Sequence, residues 1–242
     1  MPVSPEKEGE RTRAELLLIE EQYKSDYDSA MRSFLILLAA YTIPNDVGQI
    51  NADITNMLSQ SGVYDSISNL IGDGYQKAVD EISGQYTRII GDKLDLTEEQ
   101  INELQSKQEI DTLRNDANLQ VFTAGLSQTL YNQQLDILNE KIVADNVNSL
   151  VKTLDNKVST EMTTGIFSTA AIAAGLYAFT YELEKHQYVG PLDGKTRPFC
   201  RSHIGEIKSL SEWDQLDNGQ ISPVSVYLGG YSCRHVLVPV GI

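Results

Sequence analysis

Between Arg11 and Tyr41 the apolar positions Ala30, Phe34, Leu37, Leu38 and Tyr41 recur at steps of three and four, which predicts one amphipathic helix. Pro44-Asn45-Asp46 ends it and carries the start signal of the next. From Val47 to Ile90, the positions Ile50, Ile54, Met57 and Leu58, then Ile67, Leu70 and Ile71, predict shorter helices, broken near Gly62 and at Gly72-Asp73-Gly74. Gly91-Asp92 closes that series. Thr97-Glu98-Glu99-Gln100 then has the form of a capping box, in which the threonine hydroxyl and the glutamine side chain satisfy each other's backbone amides. Downstream, Leu126, Leu130, Leu138, Ile142, Val147, Leu150, Leu154 and Val158 keep a spacing near three and a half, which fits one long helix or a helical hairpin.

No proline interrupts the chain between Pro44 and Pro191, and strand-like alternation is absent there, so residues 11–185 are expected to be almost wholly helical. Residues 1–10, with Pro2 and Pro5 among charges, read as a flexible arm, too polar for a secretory signal. At 1.5 Å per residue a thirty-residue helix spans about 45 Å. The expected fold class is therefore mainly α: an elongated helical body braced by neighbouring subunits. Met162 to Tyr181 carries no formal charge, which invites a membrane-spanning reading. Its threonines, serine, glycines and alanines instead suit close packing, so a buried or subunit-facing helix is the expectation.

Residues 186–242 change character and predict a small α+β module. Ser209 to Leu216, with Trp213, reads as a short helix, Asp217-Asn218-Gly219 as a turn, and Val224–Tyr227 and Val236–Pro239 as strands. Charge sharpens this boundary. The chain has 34 acidic against 19 basic residues, a net charge of -15. The tail holds five of each sign, so the whole excess precedes residue 186. A body that acidic is a poor general binder of duplex DNA, whose nonspecific affinity comes from lysine and arginine on phosphates.

Both cysteines of the chain lie between Asp193 and Val240 with two of its three histidines. Cys200 and His203 stand three apart and Cys233 and His235 two apart, so each pair can turn two soft donors to one point. Together they supply the four ligands of a closed, structural zinc site. A tail with little apolar material would gain much from such a staple. A Cys200–Cys233 disulfide, or two buried thiols beside surface histidines, are the alternatives. Neither requires a histidine next to each cysteine.

The same residues carry a resemblance. Asp193-x-x-Thr196-Arg197-Pro198-x-Cys200-x-x-His203, then a Gly and a short polar segment, then Gly230-x-x-Cys233-Arg234-His235 with a Pro-Val ending, resembles the C-terminal domain of the phage Mu F-like minor head proteins, or head morphogenesis proteins. The likeness covers about residues 188–242. Carried over position by position, the family's Asp, Arg and Pro fall on Asp193, Arg197 and Pro198, and its two ligand clusters on Cys200/His203 and Cys233/Arg234/His235. Many relatives read Cys-Arg-Cys at the second cluster, where His235 is an equivalent zinc ligand. The resemblance implies a non-enzymatic virion protein of the phage head or neck, assembled in the host cytoplasm in multiple copies. Portal or major capsid subunits would be its partners, with contact to packaged DNA and a part in head assembly and DNA packaging or delivery.

Asp193, Arg197 and Arg234 are expected to hold the loops around the metal, since guanidinium groups commonly fix loops through carboxylates and carbonyls. Lys195 and Arg201 beside them offer a local phosphate contact, ranked below that bracing role. The competing function is a phage-carried zinc-dependent nuclease or toxin-like effector. Against it, four ligands would leave no position for water, and no Walker loop or dinucleotide fingerprint is present. Glu206 and His186 are candidates for acid–base chemistry, but read more simply as surface residues.

Overall fold

A computed structural model describes residues 4–91 and 95–240. The chain is 72% helical with one small antiparallel sheet, so its class is mainly α. The helices are α1 (Pro5–Ala39), α2 (Val47–Gln60), α3 (Val63–Asn69), α4 (Tyr75–Ile90), α5 (Glu98–Gln134) and α6 (Glu140–Thr180). Then follow β1 (Lys185–Val189), α7 (Pro198–His203), β2 (Ile207–Lys208), the single turns α8 (Leu210–Trp213) and α9 (Val224–Tyr227), and β3 (Val236–Val240).

Local chemistry accounts for most boundaries. Asp46 caps α2 by accepting from the Gln49 amide at 2.7 Å. Gly62 breaks the chain at φ 82° and Gly91 closes α4 at φ 90°. The predicted capping box is present, with Thr97 Oγ1 accepting from Gln100 N at 3.3 Å and the Thr97 amide donating to Gln100 Oε1 at 2.8 Å. The heptad-like run resolves into a helical hairpin whose second arm begins where Asn139 Oδ1 accepts from the Ile142 amide.

Several expectations are corrected. The flexible arm is helical from Pro5 onward; Met1 to Val3 lie outside the described residues, as does Asp92. Proline is well placed in a first helical turn, and that turn is anchored. Glu8 is buried and accepts from Arg88 Nε at 2.6 Å, and a Cβ on Gly9 would stand 2.6 Å from Val189 Cγ1. Gly72 and Gly74 do not break the chain but sit in a turn of π-helix, Leu70–Gly74, that runs into α4. Val224–Tyr227 is a helical turn rather than a strand, because Pro223 O accepts from the Val226 and Tyr227 amides and Asp214 Oδ1 from that of Ser225. β-branched composition yields here to tertiary hydrogen bonding.

The division into an N-terminal body and a C-terminal module also changes. The chain forms two compact units: Met1–Glu21, Ile71–Glu109 and Thr160–Ile242 make one, and Gln22–Leu70 with Ile110–Ser159 the other. In the second, Phe34 meets Phe122 edge to face, and Tyr27 donates to Asp155 Oδ1 at 3.1 Å. In the first, the sheet has order β2-β1-β3, with His186 opposite Lys208 on one side and Pro239 on the other. The uncharged half of α6 is core of this unit: Met162, Ile166, Ala170, Ala173 and Ala174 are buried, and Tyr86 donates to Ala174 O at 2.7 Å. α6 is long and apolar enough to cross a membrane, yet 72% of its most apolar window is buried inside the protein.

Candidate metal centre

Two segments of the first unit converge on one point. Cys200 comes from α7, which Pro198 opens after Arg197; Cys233 and His235 come from the loop leading into β3. Sγ of Cys200 and Sγ of Cys233 are 4.0 Å apart, and His235 Nδ1 lies 3.5 Å from Cys233 Sγ. The three donor atoms fall within 4.8 Å of one another and all three residues are buried, a cluster able to hold a metal ion. Both cysteines are free thiols.

The donor chemistry fits a soft or borderline cation. Two thiolate sulfurs on one tetrahedral ion with bonds of about 2.3 Å stand roughly 3.8 Å apart, close to the spacing seen. Tyr188 from β1 donates to Cys200 Sγ at 3.5 Å and lies 3.8 Å from Cys233 Sγ, while the Gly229 amide donates to Cys233 Sγ at 3.2 Å. Such donors offset negative charge on sulfur. Cys200 is the thiol that ionises first, because its hydrogen bond with Cys233, helped by those from His235 and Tyr188, holds it well below the usual thiol value. Cys233 is pushed up by the same pairing and by burial.

Two glycines are required by close approach. A Cβ on Gly229 would overlap Cys200 Sγ and stand 3.1 Å from Cys233 Sγ; one on Gly190 would overlap the His235 ring. These positions, with Tyr188, were missed as site residues. Gly229 stands next to the motif's Gly230, but nothing in the sequence says which atoms a glycine must admit.

His203, the expected fourth ligand, points elsewhere. Its Nδ1 is 2.8 Å from Glu206 Oε2, and its ring packs on Phe199 at 4.5 Å and edge-on to Trp213 at 5.8 Å. A carboxylate one turn on and two aromatic faces outcompete the distant sulfurs. Among the described residues the cluster therefore has three donors, and one tetrahedral position is left for a ligand from outside it. Glu206 binds His203 and Lys208, so it is engaged structurally rather than poised as a base, and hydrogen bonding to Lys208 lowers its pKa. His186 is fully buried beside Tyr86, not a surface residue.

The arginines brace the loops. Arg197 Nη1 donates to Gly229 O at 2.7 Å, and Arg234 Nη2 to Asp193 Oδ2 at 2.8 Å. The Lys195 amide and Thr196 hydroxyl also reach Asp193 Oδ1, so Asp193, drawn first by Arg234, ionises at about 2. The tail also has its own apolar core, in which Tyr188, Trp213, Val224, Leu228 and Leu237 pack around the cysteines. The expectation that a metal is nearly all the tail folds around is corrected accordingly. No family model matches the chain, and no curated protein or solved structure matches it.

Proposed function

We propose that this chain is a minor head protein of a phage, a structural component of the virion whose C-terminal segment is stapled by zinc on Cys200, Cys233 and His235. One observation supports the reading best. The two halves of the Mu F-like motif, some thirty residues apart, meet residue by residue: Cys200 with Cys233, Arg197 with Gly229, and Asp193 with Arg234. A series of unusual residues that folds into one interlocked cluster acts as a unit, which a chance likeness of sequence would not require. Zinc would supply a cross-link between α7 and the β3 loop, with Tyr188 and the Gly229 amide orienting the sulfurs.

On this reading the partners are portal or major capsid subunits, present with several copies of this chain in the head or neck and assembled in the host cytoplasm. The protein would act in head assembly and in packaging or delivery of DNA. The acidic excess before residue 186 favours protein partners over duplex phosphates. The test is binding of the purified chain to portal and capsid subunits of the same genome and, in parallel, to duplex DNA across a salt series. Association with head subunits and weak, salt-insensitive DNA binding is expected. Tight DNA binding with a steep salt slope and no association with head subunits would overturn the reading.

A second reading is favoured by the position that His203 leaves free. Three protein ligands and one exchangeable position are the arrangement of catalytic zinc, which suits a zinc-dependent nuclease or toxin-like effector. Nucleic-acid cleavage abolished by His235→Ala in a chain that remains folded would establish that reading over the structural one.

A further inference from the structure

A cavity of about 330 Å³ lies against the cluster, and Cys200, Cys233 and His235 all form part of its wall. The rest of the wall includes three cations, Lys195, Arg197 and Arg234, and a single carboxylate, Glu20, whose Oε1 accepts from Thr163 Oγ1 at 2.6 Å. Lys195 is exposed, whereas Arg197 and Arg234 are partly buried and held in place by Gly229 O and Asp193. A guanidinium has five N–H donors in a rigid fork, so each brace leaves further donors for the cavity.

We propose that this cavity binds a terminal phosphate, seated by Lys195, Arg197 and Arg234 with one oxygen directed toward the Cys200–Cys233–His235 cluster. The inference rests on the metal reading above and concerns what faces the position His203 does not fill. Two thiolates and a neutral imidazole cancel the charge of a divalent ion, so the field in the cavity is set by the three cations against Glu20 and Asp193, the carboxylate paired with Arg234, which leaves one positive charge in excess. That excess favours an anion, and the fork of a preorganised arginine matches the geometry of phosphate oxygens. The acidic excess elsewhere in the chain makes this cationic pocket a local exception rather than part of a general DNA-binding face. The same chemistry would serve free phosphate or the 5′-phosphate end of a nucleic-acid strand.

The experiment uses the full chain loaded with cobalt(II) as a coloured substitute for zinc. Inorganic phosphate is titrated while the visible spectrum and the heat of binding are followed. A short single-stranded DNA is compared with and without its 5′-phosphate. Saturable phosphate binding that perturbs the cobalt spectrum is expected, with about tenfold or greater weakening in Lys195→Glu, the range for loss of one charge-assisted hydrogen bond. Lys195 is exposed, so that variant should keep its fold and its metal content. Competition by the 5′-phosphorylated strand alone would identify a strand end as the source; competition by neither strand would identify the free anion. A chain that holds one metal but gives no spectral or calorimetric response to phosphate overturns the proposal and leaves the metal reading standing. Equal phosphate affinity in Lys195→Glu overturns it as well. A chain that takes up no metal overturns both.

Discussion

Gly165→Ala in α6 separates burial inside the chain from burial against a partner or a bilayer. In an exposed helix interior this substitution stabilises by about 1 kcal/mol, because alanine loses less backbone entropy than glycine. Here the added Cβ would overlap the Tyr75 hydroxyl and stand 2.6 Å from Cζ of that ring, and Tyr75 is only 1% exposed. Overpacking of a filled core costs about 1–3 kcal/mol, so the net expectation is a loss of up to roughly 2 kcal/mol once propensity is deducted. For a chain of this size that lowers Tm by several degrees, at about 2–4 °C per kcal/mol. Gly175→Ala is the control: it lies in the same helix, and its Cβ would have Leu210 Cδ1 at an ordinary 3.8 Å. It should raise stability by the propensity term alone. Urea or thermal unfolding of the isolated chain measures both. If the two alanines stabilise equally, the small-residue face of α6 does not pack on Tyr75, and the case for a subunit-facing or lipid-facing helix returns.

Metal analysis of the purified chain should give about one zinc, lost in Cys233→Ser and retained in His203→Ala; zinc lost from both variants would return His203 to the ligand set. Because Trp213 and Tyr188 supply a core of their own, Cys233→Ser should keep helical circular dichroism while lowering Tm. Glu8→Ala, which removes one of the two carboxylates on Arg88 and leaves Glu81 as its partner, should cost about 1.5–3 kcal/mol in urea unfolding, the range for a hydrogen bond to a charged group; a cost near zero would restore the flexible-arm reading. Burial holds His186 at about 4, below its ordinary 6.5, so the unfolded chain takes up the proton first. His186 then contributes up to about 3 kcal/mol that is present above pH 6.5 and lost as pH falls toward 4. In His186→Gln the fall in stability across that window should be shallower than in the parent chain by this amount, and identical slopes would refute the assignment.

The helices were legible where their signals are local. Asp46, Gly62, Gly91 and the Thr97–Gln100 box each act within four residues, and each does what its position in the sequence predicts. β1 was not legible, because a five-residue strand is defined by partners at residues 207–208 and 236–240. The site was partly legible for the same reason. Spacing brought Cys200, Cys233 and His235 forward as soft donors. It could not tell His203 from a true ligand, since that choice is made by Glu206, Phe199 and Trp213 in three dimensions. Glu20 and Thr163, on the cavity wall, lie far from the motif in sequence and carry no pattern that points to it.

The composition of the first compact unit sets an order of events during synthesis. Gly9 on α1 packs on Val189 and Val238, near opposite ends of the chain. The unit that contains them cannot close until Val240 has left the ribosome. The second unit holds no residue beyond Ser159, so all of it is synthesised before the tail. Until then the first helix presents Leu16 and Thr12, both buried in the finished molecule, without their final cover. Domains that fold only after long-range closure are those most exposed to aggregation and proteolysis on the way. Loss of residues 190–240 therefore removes more than the cysteine–histidine cluster, since it takes from α1 the cover that Val238 gives at Gly9.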